Sequence, residues 1–229
     1  GARVVVLDLP SGQPRSAVTA LGSGVHFSAG DVTSPQDVQT AVDQAVALGD
    51  FAIVVNCAGI ATPGRVFGKD GEPFPLEVFR RVVEVNLIGT FNVIRLATKA
   101  IAEHTPADAE DRAVIINTAS IAAFDGQIGQ TAYAASKGGV VGMTLPLARE
   151  LARHRIRVVT IAPGLFRTPL LAGLPEEAIA QLGAQVPHPA RLGDPAEFGL
   201  LTAQIVANPM LNGEVIRLAL RRLEQRRGL

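Results

Sequence analysis

Six stretches of the chain are apolar and rich in β-branched residues: RVVVLDL (3–9), GVHFSAG (24–30), FAIVVNCAG (51–59), AVIINTAS (113–120), IRVVTIAPG (156–164) and GEVIRLAL (213–220). Most are continuously apolar rather than alternating, which predicts parallel strands covered on both faces. Helical patterns lie between them. In DVTSPQDVQTAVDQAVALG, Ser34 is a predicted N-cap, Pro35 opens the first turn, Asp37 stands near the positive helix end and Gly49 stops the helix. Residues 75–104 predict one long helix, and residues 131–155 a second despite Gly138, Gly139, Gly142 and Pro146. Strand–helix alternation of this kind predicts an α/β fold, a doubly wound parallel sheet flanked by helices. No repeat, linker or low-complexity segment divides the chain, so residues 1–229 read as a single domain.

Composition narrows the classes. The chain is 48% hydrophobic, and its 21 Lys+Arg balance 21 Asp+Glu. A zero net charge gives no bulk electrostatic case for nucleic acid or an anionic membrane as partner. The single cysteine, Cys57, excludes an internal disulfide and suits a reducing compartment. No apolar run reaches the roughly 18 residues that span a bilayer, and the opening residues read as a strand rather than a signal peptide. The expectation is a soluble intracellular domain.

In a doubly wound sheet, ligands bind beyond the carboxyl ends of the strands. Those ends read Asp8, Asp31, Asn56-Cys57-Ala58-Gly59, Thr118-Ala119-Ser120 and Pro163-Gly164. Asp8 and Asp31 could equally cap helices, and Gly59 could simply turn the chain. Tyr133, the sole tyrosine, precedes Lys137 by four positions in QTAYAASKGG. At that spacing the two share a helix face, and an ammonium near a phenol favours the phenolate and lowers its pKa. Tyrosine then becomes usable as a general acid or base. A serine hydroxyl at the preceding strand end (Ser120) suits a substrate oxygen. Together they suit carbonyl–alcohol interconversion, whose hydride must come from a cofactor because no side chain supplies one.

Ser120, Tyr133-x-x-x-Lys137, NCAG after a strand and NLIGT inside a helix resemble the short-chain dehydrogenase/reductase family, from residue 3 to about 218. The resemblance implies a Rossmann-like fold with catalytic Ser120, Tyr133, Lys137 and Asn86. Tyr133 would be the acid/base and Ser120 would hold the substrate oxygen. Lys137 would lower the tyrosine pKa and hold the nicotinamide ribose, and Asn86 would support a water relay through Lys137. It also implies a cofactor site. Asp8 would accept the adenosine ribose hydroxyls and, with no arginine following at once, favour NAD over NADP. Asp31 and Val32 would contact adenine, and Asn56, Cys57, Ala58 and Gly59 would run along the cofactor. Phe166 and Thr168 would fold over the nicotinamide. No metal is expected.

VIINTASIAAFDGQIGQTAYAASKGGVVGMTLPLAREL, TIAPGLFRTPLL, RLGDPAEF and NPMLNGEVIRL resemble more narrowly the type II 3-hydroxyacyl-CoA dehydrogenases. That resemblance implies oxidation of (S)-3-hydroxyacyl-CoA to 3-ketoacyl-CoA, as in fatty-acid degradation, with other secondary alcohols and steroids as alternative substrates. It makes residues 164–190 a candidate substrate lid, although an ordinary helical hairpin fits too. Family members are commonly homotetramers, with helices 75–104 and 131–155 packed across two-fold axes. Cytoplasm is the expected location, the mitochondrial matrix the alternative. A non-catalytic scaffold is the competing class, set against the intact Ser120, Tyr133, Lys137 and Asn86. RNA binding finds no recognition motif, and a serine hydrolase finds no G-x-S-x-G around Ser120.

Two departures from the family pattern stand out. Its opening strand and glycine-rich, pyrophosphate-binding turn have no counterpart in these residues. The expectation is that about 30 residues, the size of a strand, turn and helix, precede Gly1 in the intact protein; the alternative is a real truncation, which would remove the central strand and badly impair cofactor binding. At the other end ALRRLEQRRGL replaces the usual Asp-Gly continuation, and Arg221, Arg222, Arg226 and Arg227 read as a solvated terminal helix or subunit contact.

Overall fold

A computed structural model describes residues 1–10, 18, 20–106, 108–168 and 175–219. The chain runs β1 (Val4–Asp8), β2 (Val25–Ala29), α1 (Pro35–Ala47), β3 (Ile53–Asn56), α2 (Leu76–Val83), a π-helical turn (Glu84–Gly89) and α3 (Thr90–His104). It continues with β4 (Ala113–Thr118), α4 (Thr131–Leu151), β5 (Ile156–Pro163), α5 (Glu176–Ala184), α6 (Pro195–Ala207) and β6 (Val215–Leu218). All strand pairings are parallel. The architecture is the Rossmann-like α/β fold, with parallel strands flanked by helices. β1 pairs with β2, and β3, β4, β5 and β6 follow one another in a four-stranded sheet.

The apolar runs become the sheet's centre because both faces are covered. Ile115, Ile156 and Val158 pack with Ile94, Ile101 and Leu151 on one face. Val114, Ile116, Val159 and Ile161 pack with Ile205 on the other. Each such side chain stabilises the fold by about 1.5–3 kcal/mol relative to exposure. Continuous rather than alternating hydrophobicity in β4 and β5 follows directly from this double cover.

Capping sets the helix starts. Ser34 Oγ accepts the Asp37 amide at 3.3 Å, as its position predicts. Asp194 and Glu197 close a reciprocal capping box at α6. Two buried arginines tie helix ends to strand starts. Arg112 donates to the carbonyls of Ile101, Ala102 and Thr105 at the end of α3. Arg157 donates to Ile205 and Leu211 carbonyls, each at 3.0 Å, and to Asp111 at 2.8 Å.

Three expected elements differ in form. The long helix of residues 75–104 is interrupted by the π-helical turn Glu84–Gly89, a widening that periodicity cannot register because it adds no helix-breaking residue. The helix expected over 131–155 ends at Leu151, passes through a 3₁₀ turn and stops at Arg155 with φ 57°. Pro146 sits inside α4 on an exposed position, where the helix tolerates it. The last strand is shorter than 213–220, spanning Val215–Leu218. Within the candidate lid 164–190, α5 forms Glu176–Ala184, while residues 169–174 lie outside the described residues, as do Leu220 and the arginines of the tail.

Candidate active site

The carboxyl ends of β3, β4 and β5 meet because the strands are parallel and in register: Asn56 lies opposite Asn117, and Asn117 opposite Thr160. Ser120 follows β4 in extended conformation, 8% exposed, its Oγ accepting the Ala122 amide at 3.1 Å. Tyr133 and Lys137 come from the first two turns of α4. Lys137 is 3% exposed and points its Nζ at the Thr118 carbonyl oxygen, 2.7 Å away. Its Nζ lies 5.9 Å from the Tyr133 ring centre.

Protonation follows from burial. The protein interior disfavours the phenolate and pushes the Tyr133 hydroxyl up, while a hydrogen bond with Ser120 draws it part of the way down. Burial is the larger influence on the phenol, and the Lys137 ammonium gives its hydrogen bond to the Thr118 carbonyl. Lys137 itself is lowered to about 8 by burial, opposed by the Cys57 sulfur. Cys57 reaches solvent, yet the protein packed around it raises its thiol; Thr118 Oγ1 donates to its Sγ at 3.7 Å.

Asn86 lies at the centre of the π-helical turn, fully buried. Its Oδ1 accepts the Ile60 amide at 2.8 Å and its Nδ2 donates to the Ile60 carbonyl at 2.9 Å and to Ser136 Oγ at 3.0 Å. Ser136 Oγ in turn donates to the Tyr133 carbonyl at 2.8 Å. A continuous polar link thus joins the segment after β3 to the helix that carries Tyr133 and Lys137. Ile60 and Ser136 were not singled out from the sequence. Ser136 could have been, since it falls three residues after Tyr133 and so on the same inner face.

The remaining candidates divide by what their side chains do. Gly59 is tight for a reason beyond turning the chain: a Cβ there would lie 3.3 Å from Asn86 Oδ1 and 3.4 Å from Lys137 Nζ. Asp8 is exposed at the end of β1, its carboxylate accepting the Leu9 amide at 2.7 Å. Asp31 Oδ1 accepts both the amide and the hydroxyl of Thr33 at 2.8 Å, so it forms a local turn rather than a helix cap, and its pKa is lowered chiefly by the Thr33 amide. Val32 packs against Gly89. Asn56 spends its side chain on Asn117, donating at 2.9 Å inside the sheet, and Ala58 stands exposed between Cys57 and Gly59. Phe166 turns its ring onto Gly193, where a Cβ would clash at 2.6 Å. Thr168, half-buried, ends that described stretch.

The short chain dehydrogenase family profile matches residues 1–178. The 3-hydroxyacyl-CoA dehydrogenase type-2 of Homo sapiens is 55% identical over 222 residues, covering 95% of this chain and 84% of that protein. The Drosophila melanogaster protein of the same name is 50% identical over 220 residues, covering 95% and 86%. A crystal structure of 3-hydroxyacyl-CoA dehydrogenase type-2 from Mycobacterium avium matches with a TM-score of 0.91 at 40% identity, covering 97% of this chain and 87% of that one. The chain belongs to the short-chain dehydrogenase family. It is an oxidoreductase of that family, similar to the type-2 3-hydroxyacyl-CoA dehydrogenases.

Membership implies a nicotinamide cofactor and a small-molecule substrate. The residues present fit such a group. Gly59 leaves a side-chain-free surface beside Lys137 Nζ and Asn86, and Asp8 and Asp31–Val32 lie at the ends of the two preceding strands.

Proposed function

We propose that this protein oxidises (S)-3-hydroxyacyl-CoA to 3-ketoacyl-CoA with NAD, in fatty-acid metabolism. The observation that carries the reading is the convergence of Ser120, Tyr133 and Lys137 beyond the carboxyl end of β4, joined to the segment after β3 through Asn86 and Ser136. Ser120 Oγ would orient the substrate hydroxyl, and Tyr133 Oη would take its proton as general base and return it in reduction. Lys137 would hold positive charge beside the phenol and hydrogen-bond the nicotinamide ribose. The cofactor supplies the hydride acceptor for the carbinol carbon. Asp8 would bind the adenosine ribose, its carboxylate opposing a 2′-phosphate and so favouring NAD over NADP. Asp31 and Val32 would flank adenine, Asn56 to Gly59 would line the cofactor, and Phe166 and Thr168 would approach the nicotinamide side.

Residues 1–229 would form one domain. A homotetramer is supported by apolar side chains left exposed near and on the helices, Ile88 at 47%, Phe91 at 45% and Leu145 at 45%. Cytoplasm is the proposed compartment, consistent with the unpaired Cys57. No helix among the described residues is long and apolar enough to cross a membrane.

The test compares turnover of (S)- and (R)-3-hydroxybutyryl-CoA and of a 17β-hydroxysteroid, each with NAD and with NADP. Preference for the (S)-thioester with NAD supports the reading. Preference for the steroid or for NADP overturns the substrate or cofactor assignment respectively.

A further inference from the structure

Helix α3 touches the adenine end of the proposed cofactor site at a residue the catalytic reading does not use. Asn92 is 6% exposed, and its Nδ2 donates to the Val32 carbonyl at 2.8 Å. Its Oδ1 accepts from Arg95 twice, Nε at 3.0 Å and Nη2 at 2.7 Å. A guanidinium can only donate, so these two bonds dictate which end of the amide is oxygen and turn the NH₂ toward Val32. One turn earlier, Gly89 admits the Val32 side chain so closely that a Cβ would lie 2.7 Å from its Cγ2.

The neighbouring residue is held as firmly. The Asp31 amide donates to Asp37 Oδ2 at 2.9 Å, its Oδ1 is fixed by Thr33, and Arg81 reaches its Oδ2 at 3.4 Å. Among the described residues the segment therefore keeps one backbone donor uncommitted, the Val32 amide, while the Val32 carbonyl is anchored to α3 by Asn92. Because Asn86 and Asn92 lie on one continuous helical run, the same rigid element sets the position of the active-site link and of the Asp31–Val32 edge.

We propose that Asn92 is a positioning residue for the adenine end of the cofactor, acting through Val32 and oriented by Arg95. This rests on the reading of Asp31 and Val32 as the adenine contact. The residue touches neither substrate nor the reacting atoms, so its contribution falls on cofactor binding and not on the chemical step.

The experiment measures binding of NAD, AMP and nicotinamide mononucleotide, with KM for NAD and kcat, in the full-length wild type, Asn92→Asp and Arg95→Met. Asn92→Asp keeps the acceptor for Arg95 but sets a carboxylate oxygen against the Val32 carbonyl. The expected result is an increase of about tenfold in KM for NAD and in Kd for AMP, the worth of one buried hydrogen bond. The Kd for nicotinamide mononucleotide and the kcat at saturating NAD stay within about twofold. Arg95→Met, which leaves Asn92 in place and is exposed, raises the same two constants by about two- to threefold and covers the case in which Asn92→Asp does not fold. AMP binding as in the wild type overturns the proposal, as does a loss shared equally by nicotinamide mononucleotide and kcat, which marks a general structural role. A wild type that binds neither AMP nor NAD overturns instead the cofactor reading on which the proposal stands.

Discussion

Lys137 donates its buried ammonium hydrogen bond to the Thr118 carbonyl oxygen at 2.7 Å, not to the tyrosine one turn away on the same helix. The strand end that precedes Ser120 thereby fixes the lysine and links β4 to α4. An ammonium held this way is oriented before any ligand arrives, at a cost in solvation that burial imposes.

That cost has a sign. The folded pKa of Lys137 is about 8 against an ordinary 10.5, so below pH 8 both folded and unfolded states carry the proton and the full penalty stands. As pH climbs from 8 to 10.5 the folded state is deprotonated first, and the wild type gains stability. Lys137→Met removes the penalty, about 3 kcal/mol at its greatest, and loses the bond to Thr118, about 1 kcal/mol. The variant is expected to be inactive yet more stable than wild type by about 2 kcal/mol at pH 7, the difference shrinking above pH 8. Denaturant melts at pH 7 and pH 9.5 check this; a variant less stable at pH 7 contradicts it.

Gly59 is expected to matter by close approach rather than by backbone freedom, since a Cβ meets Asn86 Oδ1 and Lys137 Nζ within 3.4 Å. Gly59→Val should lower kcat/KM about ten- to a hundredfold by displacing the lysine, with a melting temperature close to that of the wild type. Turnover equal to wild type would mean that the contact has slack.

Asn86→Leu leaves both backbone groups of Ile60 without their side-chain partner, each worth about 1–3 kcal/mol when buried. Stability and turnover should fall together, and Asn86→Asp, which keeps the acceptor for the Ile60 amide, should retain more of both. Steady-state kinetics and thermal melts on the two variants separate these outcomes; identical losses would sever the link between Ile60 and Ser136 from the chemistry.

Away from the site, Arg157→Met should cost about 2–3 kcal/mol, because Asp111 and the carbonyls at the end of α6 lose a buried donor. Calorimetry should record a melting point about 5–10 °C lower, with KM for both substrates unchanged. A shifted KM would mean that α6 communicates with the site.

Much of the fold could be read in advance because β4 and β5 are apolar without interruption and Ser34 sits where a cap is needed. The π-helical turn at Asn86 escaped because no helix-breaking residue marks it, and the bonds of Asn86 to Ile60 span 26 residues, beyond the reach of local periodicity. For the site, Tyr133 and Lys137 were visible as an i,i+4 pair, but whether the ammonium faced the phenol or Thr118 was a tertiary matter. Asn56 and Asn117 illustrate the same limit. Both lie near strand ends that point to the crevice, and only their register shows that the Asn56 side chain serves the sheet.

The central claim is that Tyr133 moves the proton of a 3-hydroxyacyl thioester. Its most direct test is NADH formation from (S)-3-hydroxybutyryl-CoA and NAD by the wild type and by Tyr133→Phe, with NAD binding measured alongside. The account predicts turnover by the wild type and a loss of at least about a hundredfold in kcat for Tyr133→Phe, the scale of a lost general base, with NAD still bound. Wild-type kcat in Tyr133→Phe, or no turnover by a wild type that binds NAD, would contradict it.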